Sequence, residues 1–435
     1  MKLKKPENQN YSAIVVELNR FVDLENCDNV KAAIIMGNQV IVSKDTQEGE
    51  IGVYFPVESQ LSHEFVSNNN LYRHSDNNVD INKRGYFEDN RRVRCVKFRG
   101  NKSEGMYIPL ESLKFVLGDK IKELKVGDEF DELEGVNICK KYVIKKKESN
   151  PTSKKNKGKK AKESKIIENQ FRFHDDTVQL YRNLHKVNLD DYISISYKIH
   201  GTSSISSKVL CKKKLNIVEK ALKTLGVNIV DKQYDNLYAS RRVIKNEDLN
   251  PQAEHYYGED IWGLANERLK DVLLDGMTIY YEIVGFTPTG TPIQKGFDYG
   301  CRDGHFEIYV YRITFTNPSG NVFEFSFKQM EEWCKSRDIK TVPLLFYGTV
   351  KDLFIKNHKE IPEDDRDWRD TFLQILKDNY NEKNCYMCLN PVPEEGCVVR
   401  IEKLDFEGYK CKSERFYNWE TKMLDKGESD IESEN

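Results

Sequence analysis

The most constraining feature of the chain is a stretch near its middle that cannot contribute to a packed core. Residues 140–165, KKYVIKKKESNPTSKKNKGKKAKESK, consist mainly of lysine, serine and asparagine. A segment of this composition buries too little apolar surface to offset the entropy lost on ordering. We therefore expect a basic disordered linker at 141–168, attractive to RNA, with folded parts on both sides.

The length and composition bound the remaining possibilities. A chain of 435 residues is too long for one hydrophobic core, so two or three domains are expected. No apolar run reaches the roughly 18 residues that a membrane span needs, so we expect no membrane partner. The start, MKLKKPENQN, is basic but lacks an apolar segment behind it. This predicts a cytoplasmic or otherwise intracellular protein that is not secreted.

The cysteines and the net charge narrow the classes of site. Ten cysteines, mostly single, are typical of reduced thiols rather than of a disulfide framework. Cys385 and Cys388 have the spacing of a zinc-ligand pair, but no second pair completes a four-ligand site, which favours buried thiols. Because the net charge is −2, a site for a polyanion must be a local concentration of lysine and arginine.

Residues 1–140 have the pattern of short strands separated by turns. The runs are YSAIVVELN, AAIIMGNQVIVS with Gly37-Asn38 as a predicted hairpin turn, GVYFPV, RVRCVKF and MYIPL. Short strands in this order predict a small barrel. The pattern, with Gly52 opening a strand after the acidic turn QEGE, resembles an OB fold of the tRNA-binding type. Such a five-stranded barrel commonly binds nucleic acid.

The stretch 83–102, KRGYFEDNRRVRCVKFRGNK, interleaves basic and aromatic residues. Aromatic rings on a barrel can stack on bases while cations follow the phosphates. The alternative is that Tyr86, Phe87 and Phe98 belong to the core of the barrel. On the first interpretation the RNA-binding candidates are Arg91, Arg92, Arg94, Lys97 and Arg99.

Residues 169–425 mix strands with helices. DDYISISYKIH alternates strictly, which places Ser194, Ser196, Lys198 and His200 opposite an apolar face of Ile193, Ile195, Tyr197 and Ile199. GMTIYYEIVGF and CVVRIEKLDFEGYKCKS are further strand candidates, whereas NIVEKALKTLG, FKQMEEWCKSR and WRDTFLQILKDNY have helical periodicity. The class is α+β, with antiparallel sheets and helices outside them.

The stretch SYKIHGTSS raises the question of whether Lys198, three places before Gly201, is a nucleophile. The spacing alone says little, because K-x-x-G also occurs at Lys97, Lys102, Lys155 and Lys223. A lysine attacks phosphorus only as the neutral amine, which other nearby cations favour.

Two such cations stand near the end of the chain. In YKCKS, strand geometry places Lys410 and Lys412 on one face, where they can also hold a triphosphate. The alternative is a solvated lysine face on a strand edge.

Two glutamates lie in otherwise apolar strands, Glu282 in YYEIVGF and Glu395 in EEGCVVR. A buried carboxylate is costly unless it is paired or linked to a metal. Phosphoryl transfer needs a hard divalent cation, and carboxylates are its ligands. The alternatives are a salt bridge for Glu282 and a turn position for Glu395.

The order of these segments resembles that of a known superfamily. KIHGTS, YASRR, YYEIVG, IYVYRI, EEGCVVR and YKCKS are similar to motifs I, Ia, III, IIIa, IV and V of the covalent nucleotidyltransferases. KIHGT, IQK at 293–295 and KCK at 410–412 most resemble ATP-dependent RNA ligases of the double-strand nick-sealing type (RNA ligase two). The resemblance implies an N-terminal OB-like barrel followed by an ATP-grasp-like/ligase nucleotidyltransferase domain at 169–425.

The resemblance also implies roles for single residues. Lys198 would accept AMP from ATP, and the metal, Mg²⁺ or Mn²⁺, would be placed by Glu282 and Glu395. The nucleotide-binding set would be Lys198, Ile199, His200, Gly201, Arg241, Glu282, Tyr311, Lys410 and Lys412, with Tyr311 stacking on adenine. The catalytic set would be Lys198, Glu282, Glu395, Lys410 and Lys412. FRFHDDT at 171–177 is expected to close the nucleotide pocket.

The chain departs from the family pattern in three ways. Only 23 residues follow Lys412 (435 − 412), too few for the C-terminal OB domain of DNA ligases and capping enzymes. They are also too few for the helical domain of phage-type nick sealers, so binding of RNA would pass to residues 1–140. Ser203 and Arg400 differ from the commonest residues of their motifs, and an acidic tail is expected at 426–435.

The expected function is an ATP-dependent RNA ligase that seals 3′-OH/5′-phosphate breaks, with nicked duplex RNA as its partner. One alternative is a capping-type guanylyltransferase, and another is a non-catalytic RNA-binding protein on a ligase fold. The physiological RNA, a role in repair, splicing or editing, and the oligomeric state stay open.

Overall fold

The computed structural model describes residues 3–143, 165–246 and 256–426. We call residues 3–143 the first module and residues 165–426 the second module. Most of the predicted linker and residues 427–435 of the predicted tail lie outside the described residues. None of the described helices is both long and apolar enough to cross a membrane.

The first module is built mainly of short strands. Its strands are β1 Ala13–Glu17, β2 Phe21–Val22, β3 Val30–Ile35, β4 Asn38–Ser43, β5 Ile51–Phe55, β6 Ser59–Leu61, β7 Cys95–Phe98, β8 Asn101–Glu104, β9 Met106–Pro109, β10 Glu129–Phe130, β11 Glu132–Leu133, β12 Val136–Asn137 and β13 Cys139–Lys141. Its helices are α1 His63–Asn68 and α2 Lys114–Leu117. The predicted strands are confirmed, with bounds shifted by a few residues.

The strands of the first module form small antiparallel sheets, ordered β10-β1-β5-β9 and β2-β3-β4, with β7–β8 as a separate hairpin. The predicted β3–β4 hairpin is present, but its turn is Met36-Gly37, one residue earlier than expected. Ile35 pairs with Asn38, and both turn residues have positive φ, as a two-residue turn of this kind requires. Phe55, Phe65 and Phe130 belong to one fully buried cluster beneath these strands.

The second module contains longer strands and more helix. Its strands are β14 Val178–Gln179, β15 Tyr192–Tyr197, β16 Thr202–Lys212, β17 Lys232–Ser240, β18 Met277–Gly285, β19 Phe306–Thr316, β20 Val322–Glu324, β21 Leu344–Thr349, β22 Gly396–Ile401 and β23 Glu407–Lys412. Its helices are α3 Leu180–Asn183, α4 Ile217–Thr224, α5 Ile261–Glu267, α6 Phe327–Lys335, α7 Val350–Lys356, α8 Asp365–Tyr380 and α9 Glu414–Asp425.

Two sheets organise the second module, in the orders β17-β16-β18-β19-β20 and β14-β23-β22-β15-β21. Helices α5 and α6 pack on the first sheet through a buried cluster that includes Trp262, Val310 and Met330. Helices α7 and α8 pack on the second sheet through Phe354 and Phe372. The predicted α+β class is confirmed, and CVVRIEKLDFEGYKCKS is a hairpin of β22 and β23 rather than one strand.

Buried polar contacts join the two modules. Arg182 of α3 has a fully buried side chain and donates to Gln9 O, to Ser12 and to Glu129 of the first module. On the other side, α9 leaves β23 and runs along β7 of the first module. The site described next lies where β15, β22, β23 and α9 meet.

Candidate active site

Two cavities meet at Lys198. The inner cavity is lined by Ser194, Ser196, Glu282, Tyr311, Val398 and Arg400, among others, and the outer cavity by Lys141, Arg242, Glu395, Lys410, Lys412 and Glu420, among others. Both are also lined by Lys198, Arg241, Asp176 and Thr177. A ligand with an apolar ring and a polyanionic tail fits this pair, because the inner cavity is mainly apolar and the outer one is rich in cations.

Strand pairing places Lys198 at the junction of the cavities. β15 lies between β21 and β22, and just beyond its end the Lys198 N–H donates to Gly396 O at 2.9 Å. Ser194 and Ser196 point into the inner cavity from the same face of the strand, as the alternation predicts. Ile199 also lines that cavity.

His200 and Gly201 do not line either cavity. The His200 ring is buried against the rings of Phe297 and Phe416, and the backbone N–H of His200 donates to Tyr299 Oη at 2.6 Å. A Cβ on Gly201 would lie 2.4 Å from Ile283 O and 3.1 Å from Glu282 Oε2. These two residues therefore hold the segment after Lys198 against β18 and α9, and His200 Nδ1 also lies 3.8 Å from Glu395 Oε2. Their predicted contact with the nucleotide stays a prediction.

Glu395 links two of the three predicted catalytic lysines, Lys198 and Lys412. Its Oε1 lies 2.8 Å from Lys198 Nζ and 3.5 Å from Lys412 Nζ, and its side chain is almost fully buried. Glu395 directly precedes β22, and Ser413 N–H donates to its carbonyl, so that the strand hairpin fixes it beside Lys412.

Lys410 and Lys412 share one face of β23, as predicted, and both line the outer cavity. Burial lowers the pKa of Lys410 to about 7, and the neighbouring charges of Lys412, Lys198 and Arg241 act in the same direction. Burial also opposes the charge of Lys412, but Glu420 and Glu395 outweigh it and raise its pKa well above the usual range. One lysine of the pair is thus poised to titrate near neutrality, while the other stays charged.

Glu282 and Tyr311 lie on the first sheet and face the inner cavity. Glu282 is in β18, paired with Ser203 of β16 and Tyr309 of β19, and is mostly buried. The Tyr311 hydroxyl lies 3.0 Å from Ser203 Oγ, which fixes the ring at the cavity wall.

Three residues of the segment 171–177 line the inner cavity, namely His174, Asp176 and Thr177. Asp176 accepts hydrogen bonds from Arg241 at 2.7 Å and from Arg242 at 3.0 Å. Burial, reinforced by the charges of Arg312 and Arg241, holds the pKa of His174 well below its usual value. His174 is therefore neutral, and its ring packs against Tyr311 with 5.1 Å between centroids.

The five basic RNA-binding candidates do not form one surface. Arg92 is 2% exposed and makes two 2.7 Å bonds to Glu58 and one 3.0 Å bond to Asp425, so the expectation that it binds RNA is wrong. Arg91 bonds Leu61 O and Tyr72 within its own module.

Lys97 and Arg99 are exposed, and Arg94 is half-buried. Lys97 and Arg94 line a groove with Tyr86 and Phe98, each of which is close to half exposed. Phe87, in contrast, is buried core.

Several residues at the cavities were not assigned from the sequence. Arg400 and Phe406 line the inner cavity, and Arg312 lies over the Phe406 ring at 4.3 Å. Lys141 and Glu420 line the outer cavity. The sequence marks Arg400 only as a departure from its motif, and Arg242 only as part of YASRR. Glu420 lies outside every motif, so nothing in the sequence indicated that it belongs to the site.

The acidic residues suit a magnesium-type ion only in part. Within the described ranges, no three His, Cys, Asp or Glu side chains lie close enough together to hold a metal. Magnesium is commonly held by one or two carboxylates together with substrate phosphates and water, and of the two predicted ligands Glu282 lines the inner cavity and Glu395 the outer one. The cysteines at 385 and 388 likewise belong to no such cluster among the described residues.

The comparisons with known proteins concern the fold. A family model described as an OB-fold domain matches residues 13–110. No curated protein has a matching sequence. The OB-like barrel expected from the strand pattern is confirmed by this match.

Solved structures match nearly the whole chain. The Naegleria gruberi RNA ligase with PPi has a TM-score of 0.58 and 13% identity, over 95% of this chain and 99% of that one. A mutant of that ligase with ATP and Mn has a TM-score of 0.55 and 12% identity, over 95% and 99%. Another, with AMP and Mn, has 0.54 and 13%, over 94% and 98%. The chain therefore has an RNA-ligase-like fold that begins with an OB fold.

Proposed function

We propose that the protein is an ATP-dependent RNA ligase that seals 3′-OH/5′-phosphate breaks, in particular nicks in duplex RNA. The observation that carries the proposal is the convergence of Lys198, Glu395, Lys410 and Lys412 at one cation-rich cavity that opens from an apolar one. The solved neighbours are described as an RNA ligase with ATP, AMP, Mn or PPi, which supports the same chemistry here.

In the first step, the Lys198 amine attacks the α-phosphorus of ATP, an N–P bond forms, and the bond to the β-phosphate breaks to release pyrophosphate. The amine must first lose a proton, and Glu395 Oε1, at 2.8 Å, is in position to receive it. Lys410 and Lys412 stabilise the charge that develops on the departing phosphates. Covalent capture divides one difficult displacement into easier ones.

In the later steps, the adenylate moves from Lys198 to a 5′-phosphate end, and a 3′-hydroxyl then attacks that end and releases AMP. Arg241 and Arg242, fixed by Asp176, lie where the outer cavity can bind the 5′-phosphate. Bound Mg²⁺ or Mn²⁺ would screen the phosphate charge, with Glu282 and Glu395 as the residues that would hold it.

We place the RNA-binding role in the first module. Tyr86 and Phe98 offer exposed rings for base stacking, and Arg94, Lys97 and Arg99 supply cations beside them. Residues 3–143 would thus serve as the RNA-binding domain, and residues 165–426 as the adenylyltransferase domain.

One observation keeps the guanylyltransferase alternative in view. Arg400 is 4% exposed and lines the inner cavity, and among the described residues its Nε and Nη1 have no hydrogen-bond partner. Because Nη2 already donates to Phe325 O, these are two single donors rather than a fork, and each can bind an acceptor of either guanine or adenine.

The test is to incubate the protein with ATP or GTP and magnesium, and to map any adduct by mass spectrometry. We expect one added AMP on Lys198 and none in Lys198→Ala. If GTP gives a GMP adduct and ATP gives no adduct, the protein is a capping-type guanylyltransferase. A protein that binds RNA, carries no adduct and is unchanged by Lys198→Ala would be a non-catalytic ligase fold.

A further inference from the structure

Glu420 is an acidic side chain that lines the anion-binding outer cavity. It belongs to α9, beyond the last motif. Its Oε1 lies 3.3 Å from Lys412 Nζ, nearly the distance of Glu395 Oε1 from the same amine, and its side chain is 13% exposed. Lys412 is thus paired with two carboxylates, that of Glu395, which directly precedes β22, and that of Glu420 in α9.

The charge balance of the cavity makes this arrangement informative. Among the described residues, the cations that line the outer cavity are Lys141, Lys198, Arg241, Arg242, Lys410 and Lys412, and the acids are Asp176, Glu395 and Glu420. Asp176 is fixed by its two arginines, and Glu395 bridges Lys198 and Lys412. Among the described residues, Glu420 pairs with Lys412 and with no other cation.

The helix that carries Glu420 is fixed from both sides. Phe416 packs on His200, two residues after Lys198, with ring centroids 4.9 Å apart. One residue after Glu420, Thr421 Oγ1 donates to Glu58 of the first module at 3.1 Å. The position of Glu420 is therefore set by the packing of α9 and not by its ion pair alone.

We infer that Glu420 is a positioning residue that holds Lys412 in place of phosphate, and that the phosphate chain of ATP or the departing pyrophosphate displaces it. This inference rests on the proposed function and goes beyond it, because it assigns Glu420 the role of competing with phosphate for Lys412. While Lys412 is held by Glu420, its amine stays ordered at the cavity. A polyphosphate must break that pair, so Glu420 weakens polyphosphate binding and speeds pyrophosphate departure.

The competitor acts only where phosphate charge is present. Under the proposed function, a ligand without phosphates, such as adenosine, would bind in the inner cavity, to whose lining Glu420 does not contribute. A purely structural role for Glu420 would alter both kinds of ligand together, whereas competition affects polyphosphates alone.

The experiment compares wild type with Glu420→Gln by calorimetric titration of inorganic pyrophosphate, in EDTA and in Mg²⁺, and of adenosine. We expect Glu420→Gln to bind pyrophosphate about fivefold more tightly, because the carboxylate that competes for Lys412 has lost its charge, with adenosine unchanged. The matched control is Glu414→Gln on the same helix, which pairs with Lys102 outside the outer cavity.

A double variant tests the route through Lys412. In a Lys412→Met background, the gain from Glu420→Gln should shrink, because the amine for which the two anions compete is gone. Equal or weaker pyrophosphate binding by Glu420→Gln in EDTA would overturn the inference, and weaker binding only in Mg²⁺ would instead make Glu420 a metal ligand. If the wild-type protein binds neither pyrophosphate nor adenosine and gains no adduct from ATP, the proposed function itself is wrong, whatever the behaviour of the Glu420 variant.

Discussion

Glu395 Oε1 lies between two amines, 2.8 Å from Lys198 Nζ and 3.5 Å from Lys412 Nζ. The same carboxylate therefore contacts the proposed nucleophile and one of the cations proposed to hold phosphate. In the proposed mechanism Lys198 must become a neutral amine before it attacks, so we expect the charge of this carboxylate to affect the first step.

Replacement of Glu395 should slow formation of the lysyl adduct more than it changes the fold. We expect Glu395→Gln to reduce the initial rate of adenylate incorporation by about a hundredfold, as for loss of one preorganised electrostatic group. The adjacent Glu394→Gln is the control, since that carboxyl accepts from Lys383 N–H and faces neither cavity. Near-wild-type rates in Glu395→Gln would remove Glu395 from the mechanism.

Lys410 should make stability depend on pH. Its pKa is lowered to about 7 in the folded protein, chiefly by burial, against 10.5 as the ordinary value. The destabilising effect of its charge is then complete below pH 7 and fades as pH rises toward 10.5, because the unfolded chain binds the extra proton in that window. Lys410→Met should therefore stabilise the protein by about 1–3 kcal/mol at pH 6, with the gain shrinking by pH 10.

The measurement for Lys410 is urea unfolding of wild type and Lys410→Met at pH 6, 8 and 10. Lys422→Met, on α9, serves as the control for loss of a lysine outside both cavities. A stability difference that stays constant over this range would mean that Lys410 titrates at its ordinary pKa.

Arg92 should be a stability residue rather than an RNA contact. Its guanidinium makes two 2.7 Å bonds to the buried Glu58, so Arg92→Met leaves that carboxylate without its main partner. We expect a loss of about 3–5 kcal/mol in the free energy of unfolding. The double variant Glu58→Met with Arg92→Met should recover part of the loss. Weaker RNA binding without destabilisation would contradict this assignment.

The groove of the first module should determine the salt dependence of RNA binding. We expect Lys97→Gln with Arg99→Gln to reduce the slope of log K against log salt by about one to two, since each exposed cation neutralises one phosphate. Phe98→Ser should weaken binding at every salt concentration through lost stacking, about 1–3 kcal/mol for one base.

The control for RNA binding is Lys335→Gln, at the end of α6 in the second module. All of these variants should accept AMP on Lys198 at the wild-type rate. If none of them changes RNA binding in a filter or fluorescence assay, the RNA surface lies elsewhere.

Gly201 should tolerate no side chain. A Cβ there would approach Ile283 O to 2.4 Å, which is backbone and cannot move aside as a side-chain tip can. Gly201→Ala should therefore displace the segment after Lys198 and lower both the melting temperature and the adduct yield. Gly348→Ala is the comparison, because its nearest contact is the Phe346 ring at 3.1 Å. Equal melting temperatures for Gly201→Ala and wild type would disprove the steric argument.

Much of the fold could be predicted because it depends on local patterns. The alternation in YISISYK places Ser194, Ser196 and Lys198 at the inner cavity, and the pattern K-x-K puts two amines on one face of β23. The order of the motifs indicated that Lys198 and Glu395 meet, although periodicity alone could not have brought them together.

The residues whose surroundings differ from the sequence-based expectation are those whose contacts are made by residues distant in the sequence. Arg92 looks like an exposed cation within its own segment, and its burial follows from Glu58 and Asp425, 34 and 333 positions away. His200 continues the alternation of β15, but the strand ends at Tyr197, and the ring turns toward Phe297 and Phe416 instead. The alternation of residues within one strand carries no information about contacts with a helix that is distant in the sequence.

The bond between Arg92 and Asp425 also bears on the order in which the protein is made. A ribosome completes the first module hundreds of residues before it reaches α9. Until then, the ion pair of Arg92 and Glu58 lacks the contacts that Thr421 and Asp425 later provide. The nascent first module thus folds without these two contacts and acquires them only after α9 has been made.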